Sequence, residues 1–243
     1  MKNILVSGTS SGLGKYLKYK FSATKYQRDE KDLLYKKKKW DLIIICGFYS
    51  GSLKSKYNEA IKHVKKLMSF QSEKIIFISS LNVNFLDYPI KFKHVKNKTP
   101  LRMYALSKYK CEKLCLKKNK TLVIRLSNII GPSRFMRTSD LKKFLYHKSP
   151  KIKYSERSKF SLTSFEEILR FIKIAIKNEY SGVHNLYRKD MISLYQISKK
   201  LKKKTNFGDL YFESFNTKKI TSTKLFNFGK KKTFEIIKKY ISN

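Results

Sequence analysis

Cysteine is nearly absent from this chain. Cys46, Cys111 and Cys115 are an odd and sparse set, which excludes a disulfide framework, and the last two stand one turn apart inside an expected helix. All three read as reduced packing residues rather than redox or metal ligands, and no metal site is expected. Long apolar runs are missing as well. None reaches the roughly 18 residues that span a bilayer, and Met1 to Gly8 reads as a strand rather than as the charged and apolar regions of a signal peptide. No membrane span is therefore expected, and the expected location is cytoplasmic. Glycine and proline number only 9 and 4, and no repeat or low-complexity tail imposes another architecture.

Acidic residues are scarce too: 17 Asp and Glu face 56 Lys and Arg, a formal net charge of +39. Such a balance is a common footprint of nucleic-acid binding. The distribution argues otherwise, because lysines occupy almost every segment, from Lys62, Lys65 and Lys66 to Lys117–Lys120, and do not gather in one tail. With the abundance of Ile, Asn, Tyr and Phe, this reads as a composition bias, and nucleic acid is not the expected partner.

What is present is enough for a core. Hydrophobic residues make up 41% and aromatics 14% of 243 residues, too apolar for a disordered chain and sufficient for one α/β domain. Lys2–Ser7, Asp41–Cys46, Lys74–Ser79 and Thr121–Leu126 are continuous apolar runs of the kind that form strands covered on both faces. Ala23–Gln27 offers a short further strand. Helical spacing marks Leu13–Lys20, Leu53–Phe70 and Leu101–Lys118, and the alternation predicts a doubly wound parallel sheet of Rossmann type. Later helices are expected near 138–146, 165–177, 193–203 and 233–241. Residues 1–132 read as a dinucleotide-binding core, and residues 133–243 as a small C-terminal substrate lobe with closing helices, packed with the core as one domain.

Ser7-Gly8-Thr9-Ser10-Ser11-Gly12-Leu13-Gly14 joins the first strand to the first helix. There, backbone N–H groups and the positive helix end can receive a pyrophosphate, and glycines allow the close approach. Gly8, Ser10, Ser11, Gly12, Leu13 and Gly14 are the candidate cofactor residues; the alternative is a tight strand-to-helix connection. At the expected end of the second strand, Arg28 suits the 2′-phosphate of NADP and Asp29 the free 2′-hydroxyl of NAD. Arg28 tips the expectation slightly toward NADP, with NAD left open.

Tyr104 and Lys108 stand four apart in a helical segment and share a face. An ammonium near a phenol lowers the tyrosine pKa, so Tyr104 can exchange a proton with a hydroxyl or carbonyl while a nicotinamide exchanges hydride. Tyr16 with Lys20 and Tyr35 with Lys39 repeat the spacing, so the pair gains meaning from its surroundings. Ser80, just after an apolar run and upstream by a loop and a helix start, can hydrogen-bond the reacting oxygen. Ser79 is its competitor, and a strand-end cap is the alternative role for either.

Gly8–Gly14, Ile78-Ser79-Ser80, Tyr104-Ala105-Leu106-Ser107-Lys108 and Arg125-Leu126-Ser127-Asn128-Ile129-Ile130-Gly131-Pro132 together resemble the extended short-chain dehydrogenase/reductases, the sugar-nucleotide epimerase/dehydratase family. The resemblance implies Tyr104 as acid/base catalyst with Ser80 and Lys108, and Asn128 beside cofactor and substrate. It also implies a nucleotide-sugar substrate. Asn58 matches an asparagine common in the family's helix before the serine strand, and Glu112 an acidic position of structural kind. Arg157-Ser158-Lys159-Phe160-Ser161-Leu162-Thr163-Ser164 resembles the segment whose arginine holds the sugar nucleotide's diphosphate, which makes Arg157 a candidate; an ordinary surface arginine is the alternative. Gly182–Leu186 resembles the family's later core strand, which implies a structural rather than catalytic role for His184.

Three departures qualify the resemblance. The glycine spacing is that of the compact branch, Leu81-Asn82-Val83 after Ser80 lacks the acidic pair of the sugar 4,6-dehydratases, and the chain is short. The expected activity is keto-sugar reduction, or epimerisation through a transient ketone. The rivals are a non-catalytic dinucleotide-binding sensor or nucleic-acid-contacting protein, and a reductase of a small non-sugar carbonyl. Family members pair through the helices flanking the tyrosine, so a homodimer is a possible assembly.

Overall fold

The structure is a computed structural model that describes residues 2–27, 33–48, 54–85, 99–136, 141, 144–145, 151–188, 190–210 and 232–241. The first half alternates β1 (Ile4–Ser7), α1 (Gly12–Lys20), β2 (Thr24–Lys25), α2 (Leu33–Lys36), β3 (Trp40–Ile45), α3 (Lys54–Met68) and β4 (Ser72–Ser80). A 3-10 turn (Leu81–Phe85) follows, then α4 (Thr99–Cys115), β5 (Thr121–Leu126) and β6 (Asn128–Ile130). The second half holds β7 (Lys151–Tyr154), β8 (Lys159–Phe160), β9 (Leu162–Ser164), α5 (Phe165–Lys177), β10 (Gly182–Leu186), β11 (Ile192–Ser193), α6 (Leu194–Lys200), β12 (Asn206–Leu210) and α7 (Thr233–Ile241).

Six strands form one sheet in the order β10-β5-β4-β3-β1-β2, and every pairing in it is parallel. Alternate residues on each strand point to opposite faces. Leu5, Ile43, Ile45, Ile75, Phe77 and Val123 pack with Val64 and Leu67 of α3 and with Cys111 and Cys115 of α4. Ile4, Val6, Leu42, Ile44, Ile76, Ile78, Leu122 and Ile124 pack with Leu13 and Leu17 of α1 and with Ile168 and Phe171 of α5. The sheet is thus covered on both faces, which is why its strands read as continuous apolar runs. The doubly wound α/β expectation is met.

The β4 and α4 boundaries bear on the site. β4 runs to Ser80, so Ser80 is the last residue of the strand rather than the first beyond it. α4 stops at Cys115, with Leu116–Lys120 in turns. Three short pairs had no signal in the apolar pattern: β6 with β9, β7 with β12, and β8 with β11. Of the helix expected near 138–146, only Leu141, Phe144 and Leu145 are described, and they are helical. α5 spans the expected 165–177 because its start is specified locally. Ser164 Oγ accepts from the Glu167 N–H at 3.2 Å and Glu167 Oε2 accepts from the Ser164 N–H at 2.9 Å, a reciprocal capping box. The same device opens α6 through Ser193 and Gln196.

The chain leaves β1 for β2 on one side and crosses to β3 on the other, so the C-terminal ends of β1 and β3 mark the point where strand order reverses and ligands of such sheets bind. Gly8 and Gly47 meet there. A Cβ on Gly8 would lie 2.3 Å from the Gly47 nitrogen, and one on Gly14 would lie 2.3 Å from the Gly8 oxygen. Gly8 also has φ +68°. Gly8→Ala is expected to cost about 1–3 kcal/mol by overpacking, read as a lowered midpoint in denaturant unfolding. An unchanged midpoint would show that the two turns do not approach so closely.

Candidate active site

Tyr104, Lys108 and Glu112 recur every four residues on α4 and form one face of it. That face lies against the end of β4. Ser80 stands beside Tyr104, near enough for its side chain to lower the phenol. Lys108 Nζ donates to the Ile78 carbonyl at 2.6 Å, and Ser79 Oγ donates to Glu112 Oε1 at 2.5 Å. Of the two serines, Ser79 is committed to a buried carboxylate, while Ser80 is the one whose side chain acts on Tyr104. Ser80 also accepts from the Asn82 N–H at 3.2 Å, so it caps the turn that follows.

Burial dominates the electrostatics. It pushes the Tyr104 phenol up to about 12, outweighing the lowering by the nearby Ser80, and Tyr57 adds to the rise. It pushes the Lys108 ammonium down to about 8. The expectation that Lys108 draws Tyr104 toward neutrality is corrected here: its Nζ lies 5.9 Å from the Tyr104 ring centroid and is turned to a backbone carbonyl. Phe48 and Phe77 hold their rings 4.4 and 4.9 Å from the same nitrogen. Phe48 also meets the Tyr104 ring edge-on at 5.9 Å.

Phe48 and Gly47 were not singled out in the sequence. The signal was available: Gly47 closes the second apolar run as Gly8 closes the first. Both lie at the strand ends that flank the glycine turn.

The turn fits a dinucleotide on two observations. Gly12 has φ +67°, and Ser7 Oγ, fully buried at the end of β1, has no hydrogen-bond partner. Ser11 stands at the N-cap of α1 in extended backbone, with its hydroxyl making no capping bond. The Gly12 N–H donates to the Phe135 carbonyl at 2.5 Å. The next two N–H groups, of Leu13 and Gly14, still precede any helical acceptor. Ser10 is exposed. Arg28 and Asp29 lie outside the described residues.

Asn128 is exposed at the start of β6, whose partner β9 closes the Arg157–Ser164 segment. Ser127 and Thr163 hydroxyls join these strands at 3.1 Å. Arg157 is exposed in the turn before β8, and Asn58 is exposed in α3. His184 is engaged structurally: Nε2 contacts the Ser181 carbonyl at 3.0 Å, and its ring stacks on Tyr180 at 5.5 Å.

Sheet order, glycine turn and the α4 face together make a Rossmann-type α/β fold. Solved structures that share it include an NAD-dependent NDP-hexosamine 5,6-dehydratase, UDP-sugar 4-epimerases and a dTDP-4-dehydrorhamnose reductase. MoeE5 in complex with UDP-glucose and NAD superposes with a TM-score of 0.72 at 12% identity, covering 99% of this chain and 97% of that one. A UDP-galactose 4-epimerase gives 0.69 at 16% identity, covering 98% and 97%. The dTDP-4-dehydrorhamnose reductase from Yersinia enterocolitica gives 0.66 at 16% identity, covering 100% and 99%. No protein-family description and no curated protein matches the chain. The likeness is therefore one of fold.

Cys111 and Cys115 are buried free thiols, each pushed up to about 12 by burial. The ordinary thiol value is 9.0, so above pH 9 the folded chain keeps protons that the unfolded chain releases, and stability from this source declines as pH rises toward 12. At pH 8 both thiols are expected to resist Ellman's reagent until the chain is unfolded. Rapid labelling of native Cys111 or Cys115 would contradict this burial.

Proposed function

We propose that the chain is an NAD(P)-dependent oxidoreductase or epimerase acting on a nucleotide sugar, by reduction of a keto group or epimerisation through a transient ketone. The observation that carries the reading is the placement of Ser80 at the end of β4 beside Tyr104, with Lys108 one turn further along α4. The pair stands in the sheet whose switch point carries the glycine turn. Neighbours solved with UDP-glucose and NAD, and with NADPH, support the dinucleotide and the substrate class. Both NAD and NADP remain within the proposal, since Arg28 lies outside the described residues.

Gly8, Ser10, Ser11, Gly12, Leu13 and Gly14 would hold the pyrophosphate, Lys108 the ribose, and Asn128 the loop between cofactor and sugar. Arg157 would pair with the substrate diphosphate. When bound, the nicotinamide gives or takes the hydride at the sugar carbon. Tyr104, a phenol at neutral pH with its pKa near 12, stands in the form that gives a proton to a carbonyl oxygen, which favours the reductive direction. Ser80 would hold that oxygen. The reverse direction needs a phenolate, and hence a Lys108 ammonium closer to the Tyr104 oxygen.

A thermal-shift panel of NAD, NADP and nucleotide sugars at fixed salt is expected to show selective stabilisation. Tyr104→Phe is expected to abolish turnover while cofactor affinity stays within a few fold; near-normal turnover would refute the mechanism. Lys108 is charged below about pH 8, so kcat/KM is expected to fall as pH rises through that value. A profile flat from pH 7 to 9 would remove Lys108 from the reaction.

A further inference from the structure

The face of α4 that carries Tyr104 and Lys108 ends in Glu112, only 1% exposed. Its carboxylate accepts from Arg125 of β5 in a bidentate pair, Nη2 to Oε2 at 2.7 Å and Nε to Oε1 at 3.0 Å, and from Ser79. The remaining guanidinium nitrogen, Nη1, donates to Asn84 Oδ1 in the turn after Ser80. Asn84 Nδ2 in turn donates to Asn185 Oδ1 of β10 at 3.2 Å. Residues on both sides of Ser80, one before it and one in the turn beyond it, are therefore fastened to a single buried ion pair.

A buried pair of this kind is weak evidence for stability, because an apolar replacement often serves as well. Its arrangement here has a more specific consequence. The turn Leu81–Phe85 makes no regular ladder to hold it, and the Ser80 hydroxyl is oriented partly by its own bond to that turn at Asn82. We propose that Glu112, Arg125 and Asn84 are positioning residues, a relay that holds the Leu81–Phe85 turn and so keeps the Ser80 hydroxyl against Tyr104. The inference rests on the reading of Ser80 and Tyr104 given under Proposed function. None of the three touches the reacting atoms; they act through Ser80.

The test uses Asn84→Ala, which removes the far end of the relay, and Asn84→Asp, which restores an acceptor for Arg125. Glu112→Gln keeps the shape of the side chain and breaks the charge pair. Each variant is examined by kcat and KM with a nucleotide sugar, by cofactor affinity, and by the 13Cζ resonance of Tyr104 in tyrosine-labelled protein, assigned with Tyr104→Phe. Asn84→Ala is expected to lower kcat by on the order of 10²-fold, the cost of a misplaced catalytic group, with cofactor affinity within a few fold. It should also move the Tyr104 resonance in the direction that Ser80→Ala moves it, and Asn84→Asp should recover most of both.

Unchanged kcat and an unmoved resonance in Asn84→Ala and Glu112→Gln, with Ser80→Ala shifting it, would overturn the relay. Should the native protein turn over no nucleotide sugar, the functional reading fails, while the resonance still decides whether the relay holds Ser80 to Tyr104.

Discussion

Helix α4 lies along the end of β4 so that three side chains of one face meet three successive residues of the strand: Glu112 takes Ser79, Lys108 takes the Ile78 carbonyl, and Tyr104 stands beside Ser80. The rest of the site depends on this contact. Removed from water, the Lys108 ammonium needs a fixed acceptor, and the carbonyl that supplies it belongs to the strand that presents Ser80. The same burial that raises Tyr104 and lowers Lys108 follows from packing the helix this tightly on a sheet already closed by Phe77 below and Phe48 beside it. Chemistry and core packing are here one set of contacts.

Scarcity of acid shapes the remainder of the chain. Several carboxylates among the described residues are committed to holding the fold together. Asp41 accepts from the backbone of Lys2 and Asn3, which keeps it below the usual carboxylate range and anchors the entry to β1. Glu166 receives Lys239 and Tyr240 and ties α7 to α5. Glu167 caps α5 and pairs with the buried Arg188. Asp190 receives the start of α7 at Thr233. Among the described residues, Lys62 and Lys65 of α3 and Lys117 and Lys120 after α4 are exposed on separate segments.

The sheet and its helices were legible because parallel strands buried on both faces must be apolar without interruption, and Ile43–Ile45, Ile75–Ile78 and Leu122–Ile124 are. The helix starts at Phe165 and Leu194 were legible because Ser164 with Glu167 and Ser193 with Gln196 specify them within four residues. The short pairs β6/β9, β7/β12 and β8/β11 were not. Strands of two to five residues carry too little periodicity, and their pairing is set by neighbours far along the chain.

By itself the sequence determined the order of the central strands and their helices, the glycine turn, and the residue types at Ser80, Tyr104 and Lys108, because each depends on local spacing. Tertiary structure decided the rest. Which serine faces Tyr104 depends on Glu112 and Arg125, brought together from α4 and β5, and the approach of Gly8 to Gly47 depends on β1 pairing with β3. The protonation of Tyr104 and Lys108 was also decided there, since the sequence shows the charges while only the packed fold shows how far water has been taken from them.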